Sequence, residues 1–258
     1  MTTPSLDHPA SLLIKEGPPP CKTLIMLKSL LQQSAITIPD NKIEVLEKFI
    51  SIFIERNKDI NLVKINGEKE FIIKHIIDSL LVDQLIDVKP KTTIADLGTG
   101  GGLPGIPLAI LNPQSNFTLI DSVQKKIRCT EEFANQLNLS NVTGIADRLE
   151  TIGKNKRYRE QFDTVIARAL APLPILLELA LPLVKTGGIF VAMKGPNYLE
   201  ELIRSVNAMK KMEIERPAIK TYKLPDQMGE RYLLIFKKDK PTPPNYPRHI
   251  GVPKKQPL

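Results

Sequence analysis

The sequence predicts an α/β fold: a seven-stranded, mostly parallel sheet wound on both faces by helices, with an antiparallel hairpin at one edge and a helical cap ahead of it. Three observations carry this. Between residues 91 and 212, short apolar runs alternate with amphipathic stretches at the spacing of strand–helix–strand units. After Met212 the alternation stops, and two strand-like runs follow with no helix between them. Before residue 91 the pattern is helical, with no strand.

Each element can be justified in chain order. Residues 1–22 are proline-rich and lack helical period, so 1–25 is expected to be a disordered extension, or a mis-assigned start with Met26 as the true one. The cap spans 26–90. KIEVLEKFISIFIERN (42–57) puts Val45, Phe49, Ile52 and Phe53 on one face, with Asp40 as the expected N-cap after Pro39. EKEFIIKHIIDSLLVDQLI (68–86) repeats the period. The core spans 91–240, with strands TTIADL (92–97), NFTLID (116–121), NVTGIA (141–146), FDTVIA (162–167) and GGIFVAMK (187–194). Helices are expected at 123–139 and 196–212, and the hairpin joins EIERPAIKTYKL to ERYLLIFKK through PDQMG. Residues 241–258 are basic and proline-rich, and read as an extended tail.

Composition narrows the class. The chain has 258 residues, 42% hydrophobic and 25% charged, enough for one large globular domain. ALAPLPILLELALPLV (169–184) holds three prolines and Glu178, so it reads as a buried helix and not a membrane span. Cys21 and Cys129 lie far apart and His8, His75 and His249 show no metal-ligand spacing, so free thiols, a reducing cytoplasm and no metal are expected. The net charge of +8 favours polyanionic partners, nucleic acid above all.

DLGTGGGLPG (96–105) follows the first core strand, at the carboxyl end where open parallel sheets bind ligands. Pro104 and Pro107 fit only a helix's first turn, so a helix N-terminus is expected to face the ligand. Gly100, Gly102 and Gly105 satisfy the dinucleotide pattern G-x-G-x-x-G. Asp96, Gly98, Gly100 and Gly102 satisfy an acidic-x-G-x-G-x-G pattern as well. Charge separates the two. A carboxylate at the loop entrance repels a pyrophosphate and attracts the sulfonium and ammonium of S-adenosylmethionine (SAM). Asp96 therefore favours SAM, and the fold class becomes that of a Rossmann-like SAM-dependent methyltransferase. Asp121, ending the second strand, can bond ribose hydroxyls under either reading.

Further motifs follow in order: RNKDINLV (56–63), KHIIDSL (74–80), TLIDSVQKK (118–126), ARALAPL (167–173), AMKG (192–195), GERYLLIFKK (229–238) and YPRHIGVPKKQPL (246–258). Together with DLGTGGGLPGIPLAI they resemble the glucose-inhibited division protein B family from about Met26 to Leu258. Its members are bacterial methyltransferases acting on N7 of a guanine in 16S ribosomal RNA. The resemblance implies a SAM site drawn from Gly98, Leu103, Leu149, Glu150 and Arg168, beside Asp96, Gly100 and Asp121 from the loop reading. The chain departs from the family at Arg56, Val63 and His249, where tryptophan, threonine and lysine are usual; these departures are expected to touch the cap's surface more than the activity.

N7 of guanine carries a free lone pair, so no general base is required and no catalytic residue is assigned. Arg168 and Lys194 are candidates, set against a structural salt bridge and a solvated edge lysine. His75 and Asp78, one turn apart, read first as a contact between cap helices. Basic clusters at 125–128, 154–159, 237–240 and 248–255 could meet RNA; Arg231, Lys237, Lys238, Arg248, Lys254 and Lys255 are the candidates, with the tail expected to follow a phosphate backbone. The expected partner is 16S ribosomal RNA or the 30S subunit, with no membrane, for a cytoplasmic monomer. A nicotinamide-dependent oxidoreductase and a noncatalytic ribosome-assembly RNA-binding protein are the alternatives.

Overall fold

The computed structural model describes residues 21–258. The extension expected to be disordered, or to precede a start at Met26, spans residues 1–25, of which 1–20 lie outside the described residues. Helix α1 runs over Lys22–Gln33, four residues ahead of the expected start, because Cys21 caps it and its Sγ accepts the Leu24 N–H.

Helix α2 (Asp40–Ile60) buries Ile43, Leu46, Phe49, Ile50 and Phe53, spaced by three and four. Phe49 and Phe53 are where the period puts them, whereas Val45 and Ile52 flank the stripe and are half-buried. The cap residue is Pro39 rather than Asp40. Asp40 sits inside the first turn, where its carboxylate meets the helix dipole and the Lys28 ammonium at 2.8 Å. Asn61 ends the helix in the left-handed region at φ 52°. The stretch expected as one helix is α3 (Glu68–Phe71), a π-helical turn (Ile72–Ile77) and α4 (Asp78–Ile86) in continuous succession. Nothing in the periodicity marks that wider turn.

The strands are β1 (Thr93–Leu97), β2 (Asn116–Asp121), β3 (Val142–Ala146), β4 (Phe162–Arg168), β5 (Val184–Lys194), β6 (Ala218–Lys223) and β7 (Glu230–Lys237). They line up as β3-β2-β1-β4-β5-β7-β6, with β7 antiparallel to both neighbours and the rest parallel. The edge hairpin is as the sequence predicts. Helices α5 (Gly105–Leu111), α6 (Gln124–Gln136), α7 (Leu149–Ile152), α8 (Leu173–Ala180), α9 (Tyr198–Arg204) and α10 (Val206–Lys211) connect the strands. The order reverses between β1 and β4, so a crevice opens at their carboxyl ends.

Two apolar layers enclose the sheet. On one face α1, α2 and α4 join α5 and α6, and Phe49, Phe53 and Phe133 pack with ring centroids 5.6–5.7 Å apart. The cap therefore shares its core with the sheet. On the other face α8 and α10 cover β4, β5 and β7. Helix α8 is buried along its whole length, and among the described residues no helix is long and apolar enough to cross a membrane.

The C-terminal segment is not the extended arm that its composition predicts. Thr242 donates its hydroxyl to Leu181 O at 3.0 Å, and the Arg159 guanidinium donates to Thr242 O and Tyr246 O at 2.9 and 2.7 Å. A short helix, α11 (Val252–Lys255), follows, and Pro253 and Leu258 are buried. Apolar residues and a need to neutralise buried Glu178 hold it down.

Candidate functional site

The site begins with the glycine loop after β1. Gly98 and Thr99 N–H both donate to Ile120 O, at 2.8 and 3.0 Å, which ties the loop to β2. Gly100 N–H donates to Asp121 Oδ2 at 3.1 Å. Gly100 has φ 58°, and a Cβ there would project into open space, its nearest contact being Gly98 O at 4.0 Å. That space is a cradle that a side chain would fill. Gly101 faces the other way: a Cβ would come within 2.5 Å of the Phe53 ring. The aromatic cluster of α2 thus presses directly on the loop.

Asp96 lies beneath this loop and not in its wall. It is 1% exposed. Its Oδ2 accepts the Thr99 hydroxyl at 2.6 Å and the Gly105 N–H at 2.9 Å, while Oδ1 is buried without a partner among the described residues. Burial pushes its pKa up to about 6, against the pull of those two bonds. It is therefore ionised at neutral pH. The expectation that α5 offers free N–H groups to a ligand fails, because Asp96 takes Gly105 N–H and Gly102 O takes Ile106 N–H. What the loop offers is a Cβ-free backbone over a buried negative charge.

Two connected chambers open from the loop. The smaller, about 440 Å³, lies at the ends of β2 and β3 and is lined by Asp121, Leu149 and Glu150. Asp121 Oδ1 accepts Val123 N–H at 2.9 Å, so its carboxylate joins strand, loop and helix. Glu150 is buried, accepts Gly251 N–H at 3.0 Å, and is held below the usual carboxylate range by that bond and by Arg148, against the opposing effect of burial. The larger chamber, about 750 Å³, is lined by Leu103, Lys74, His75, Asp78, Arg168 and Arg231 among others. Gly98, Lys126 and residues 169–172 belong to both.

Arg168 ends β4 and aims its guanidinium at the π-helical turn. Its Nη1 donates to Lys74 O at 3.3 Å and Asp78 Oδ2 at 3.2 Å, and Nη2 lies 3.1 Å from His75 Nδ1. Asp78 also accepts the Tyr222 hydroxyl at 2.7 Å, with Arg231 Nε 3.8 Å away. The polar partners of His75 and Asp78 thus come from the sheet: Arg168 for both, with Tyr222 and Arg231 for Asp78. Burial, and then the neighbouring Arg168 and Lys74 charges, push His75 down to about 3, so its ring is neutral at physiological pH.

Lys194 is not a solvated edge lysine. Its ammonium donates to Ala171 O at 3.0 Å and Glu201 Oε2 at 2.7 Å, and Glu201 also accepts Leu173 N–H at 2.8 Å. These bonds hold the loop shared by the chambers.

The structure redistributes the RNA-contact candidates. Arg231 is in the larger chamber. Lys237, Lys254 and Lys255 are exposed. Lys238 is withdrawn: it is 2% exposed and its ammonium is spent on Glu160 and on Leu181 and Val184 carbonyls. Arg248 is also turned inward, onto Glu178. Replacing Lys238 by methionine should cost about 2–3 kcal/mol in urea unfolding, because carbonyls and a carboxylate lose their donor. RNA affinity of the folded variant, read by fluorescence anisotropy, should not change.

Lys74, Tyr222 and Glu201 were not singled out by sequence reasoning. Glu201 carries a faint signal, a carboxylate seven residues after Lys194. Tyr222 has none, since only the antiparallel hairpin brings it to the cap. Of the departures from the family pattern, Arg56 meets Glu132 at 2.9 Å on the surface, but Val63 lines the larger chamber, contrary to the expectation for these positions.

The chain matches the model of the GidB family, described as rRNA small subunit methyltransferase G, over residues 42–229. A ribosomal RNA small subunit methyltransferase G of Carboxydothermus hydrogenoformans is 39% identical over 232 residues, 90% of this chain and 98% of the relative. One from Oceanobacillus iheyensis is 38% identical over 228 residues, 88% and 96% of the two chains. Among solved structures, a SAM-dependent methyltransferase from Aquifex aeolicus superposes with TM-score 0.50 at 15% identity, covering 72% of this chain and 97% of that one. A predicted O-methyltransferase from Agrobacterium tumefaciens does so with TM-score 0.51 at 18% identity, covering 63% and 81%. These last two speak for the fold alone.

Proposed function

The chain belongs to the GidB family of small-subunit ribosomal RNA methyltransferases, and on that premise we propose that it transfers a methyl group from SAM to N7 of a guanine in 16S ribosomal RNA. The observation that carries the N7 reading is the state of the larger chamber's acids and bases. His75, at about 3, is too weak a base to take a proton near neutrality. Asp78 and Glu201, the chamber's carboxylates, are each already engaged by Arg168 and Lys194. A chamber without a free base suits an acceptor whose lone pair is already available.

SAM, when bound, supplies an electrophilic methyl group on a cationic sulfur. The open cradle at Gly100 and the ionised, unpartnered Oδ1 of Asp96 fit such a cation. Gly98, Gly100, Leu103, Asp121, Leu149 and Glu150 would hold the cofactor. Arg168 fixes the chamber wall rather than moving a proton. Catalysis on this reading is positioning plus electrostatic stabilisation of the cationic product. The nicotinamide reading loses ground because Asp96 opposes a pyrophosphate. The substrate is 16S ribosomal RNA, free or within the 30S subunit, and the enzyme works as a cytoplasmic monomer.

Incubating the protein with labelled SAM and either naked 16S RNA or 30S particles lacking the modification tests the proposal. Label in neither substrate would leave the noncatalytic alternative. With SAM saturating, the single-turnover rate should be flat from about pH 7 to about 9, since no base of the larger chamber titrates there. A rate rising tenfold per pH unit in that window would show a base at work.

A further inference from the structure

The C-terminal segment's composition suggests an arm for RNA, but its placement suggests a different job. Pro253 and Lys254 stand in the wall of the smaller chamber, together with Asp121 and Leu149. Gly251 N–H is bonded to Glu150 at the start of α7, in that same wall. Three independent anchors hold this placement. Arg248 donates to Glu178, which is fully buried, from its backbone N–H, Nε and Nη2 at 2.9, 2.9 and 2.7 Å. Arg159 gathers Gly153 O, Tyr246 O, Thr242 O and Pro243 O on one guanidinium. Leu258, the last residue, is itself buried on the α8 face of the sheet.

A carboxylate buried in an apolar helix is costly unless it is paired. Glu178 in α8 has its polar partners in Arg248, so the fold of the core and the docking of the segment depend on each other. A mobile electrostatic arm has no use for such an anchor. A chamber wall does.

We propose that residues 248–254 are a structural wall of the nucleoside-cofactor site, setting the affinity for SAM and its demethylated product and not the affinity for RNA. The proposal rests on the reading that Asp121, Leu149 and Glu150 hold the cofactor, which puts its nucleoside end in the smaller chamber. Its chemistry is simple. Pro253 covers apolar ligand surface, and the Gly251–Glu150 bond holds α7 and Leu149 against the ligand. Without the wall, the ligand's nucleoside end stays exposed to water.

Two variants test it. Pro253→Ala trims the wall but leaves every anchor and every basic side chain. Arg248→Ala with Glu178→Gln releases the anchor without leaving a buried unpaired charge, so folding can be kept. S-adenosylhomocysteine and SAM binding are measured by calorimetry, and binding of a 16S RNA fragment by anisotropy without cofactor. Both variants are expected to bind the cofactor about tenfold or more weakly, while RNA affinity and its salt dependence stay within about twofold. Unchanged cofactor affinity in either variant, or a loss that falls on RNA, overturns the proposal. Failure of the full chain to bind SAM or S-adenosylhomocysteine overturns the cofactor reading beneath it, so the two failures are told apart.

Discussion

Replacing Asp96 by asparagine is expected to weaken SAM binding about tenfold or more while making the cofactor-free protein relatively more stable at high pH. The two effects come from one charge. Unit charges 4 Å apart interact by about 4 kcal/mol at an effective dielectric of about 20, falling with distance, so a charge acting through the loop backbone is worth about 1–2 kcal/mol. Asparagine keeps an oxygen acceptor for Gly105 N–H and the Thr99 hydroxyl, so the loop should keep its shape. The stability effect follows from linkage. The folded protein holds the Asp96 proton up to about pH 6, against 3.8 for the ordinary group. Native Asp96 therefore costs nothing below about pH 4, and its cost grows as pH rises towards 6 and is complete above it. About two pKa units set an upper bound near 3 kcal/mol. The variant's melting temperature relative to the parent should be higher at about pH 8 than at about pH 4.5. Equal shifts at the two pH values, with SAM affinity unchanged, would remove Asp96 from the account.

Arg168 carries the second large effect. Arg168→Ala removes the donor to Lys74 O and Asp78 and the neighbour of His75. Asp78 is 2% exposed and would keep only Tyr222 and the more distant Arg231. A loss of about 2–4 kcal/mol in unfolding free energy is expected, with methyl transfer reduced by about a hundredfold or more. Arg168→Ala combined with Asp78→Asn separates the causes. The pair should regain part of the stability, because no orphaned carboxylate remains, yet stay as slow, because the π-helical turn is no longer fastened to β4. If the pair recovers the rate, Arg168 matters only for folding.

The strands and their order of appearance were legible because strands buried on both faces leave nearly continuous apolar runs between turn residues, as in IFVAM (189–193) of β5. The glycine loop was legible because a Cβ-free backbone admits few substitutes. The π-helical turn was not, since Ile72, Ile73, Ile76 and Ile77 satisfy an α-helical stripe equally well. The tail misled for a general reason. Lysines, arginines and prolines look alike in a solvated arm and in a docked strap, and only the half-buried Glu160 and the buried Glu178 decide. Both sit far away in sequence, so charge clusters marked Lys238 and Arg248 for RNA when the fold had already spent them. Asp96 was expected at the entrance of the loop, and the fold buries it beneath the loop instead, because its carboxylate is taken up by Thr99 and Gly105.

The central claim is a methyl transfer to an acceptor nitrogen that needs no base. It is tested most directly by locating the methyl group. Small-subunit RNA lacking the modification is treated with the protein and labelled SAM, and the product is digested to nucleosides and probed by cleavage at 7-methylguanine. Label is expected in 7-methylguanosine alone, at a single guanine. Label on an exocyclic amine, a ribose hydroxyl or a pyrimidine carbon, each of which must lose a proton, would contradict it.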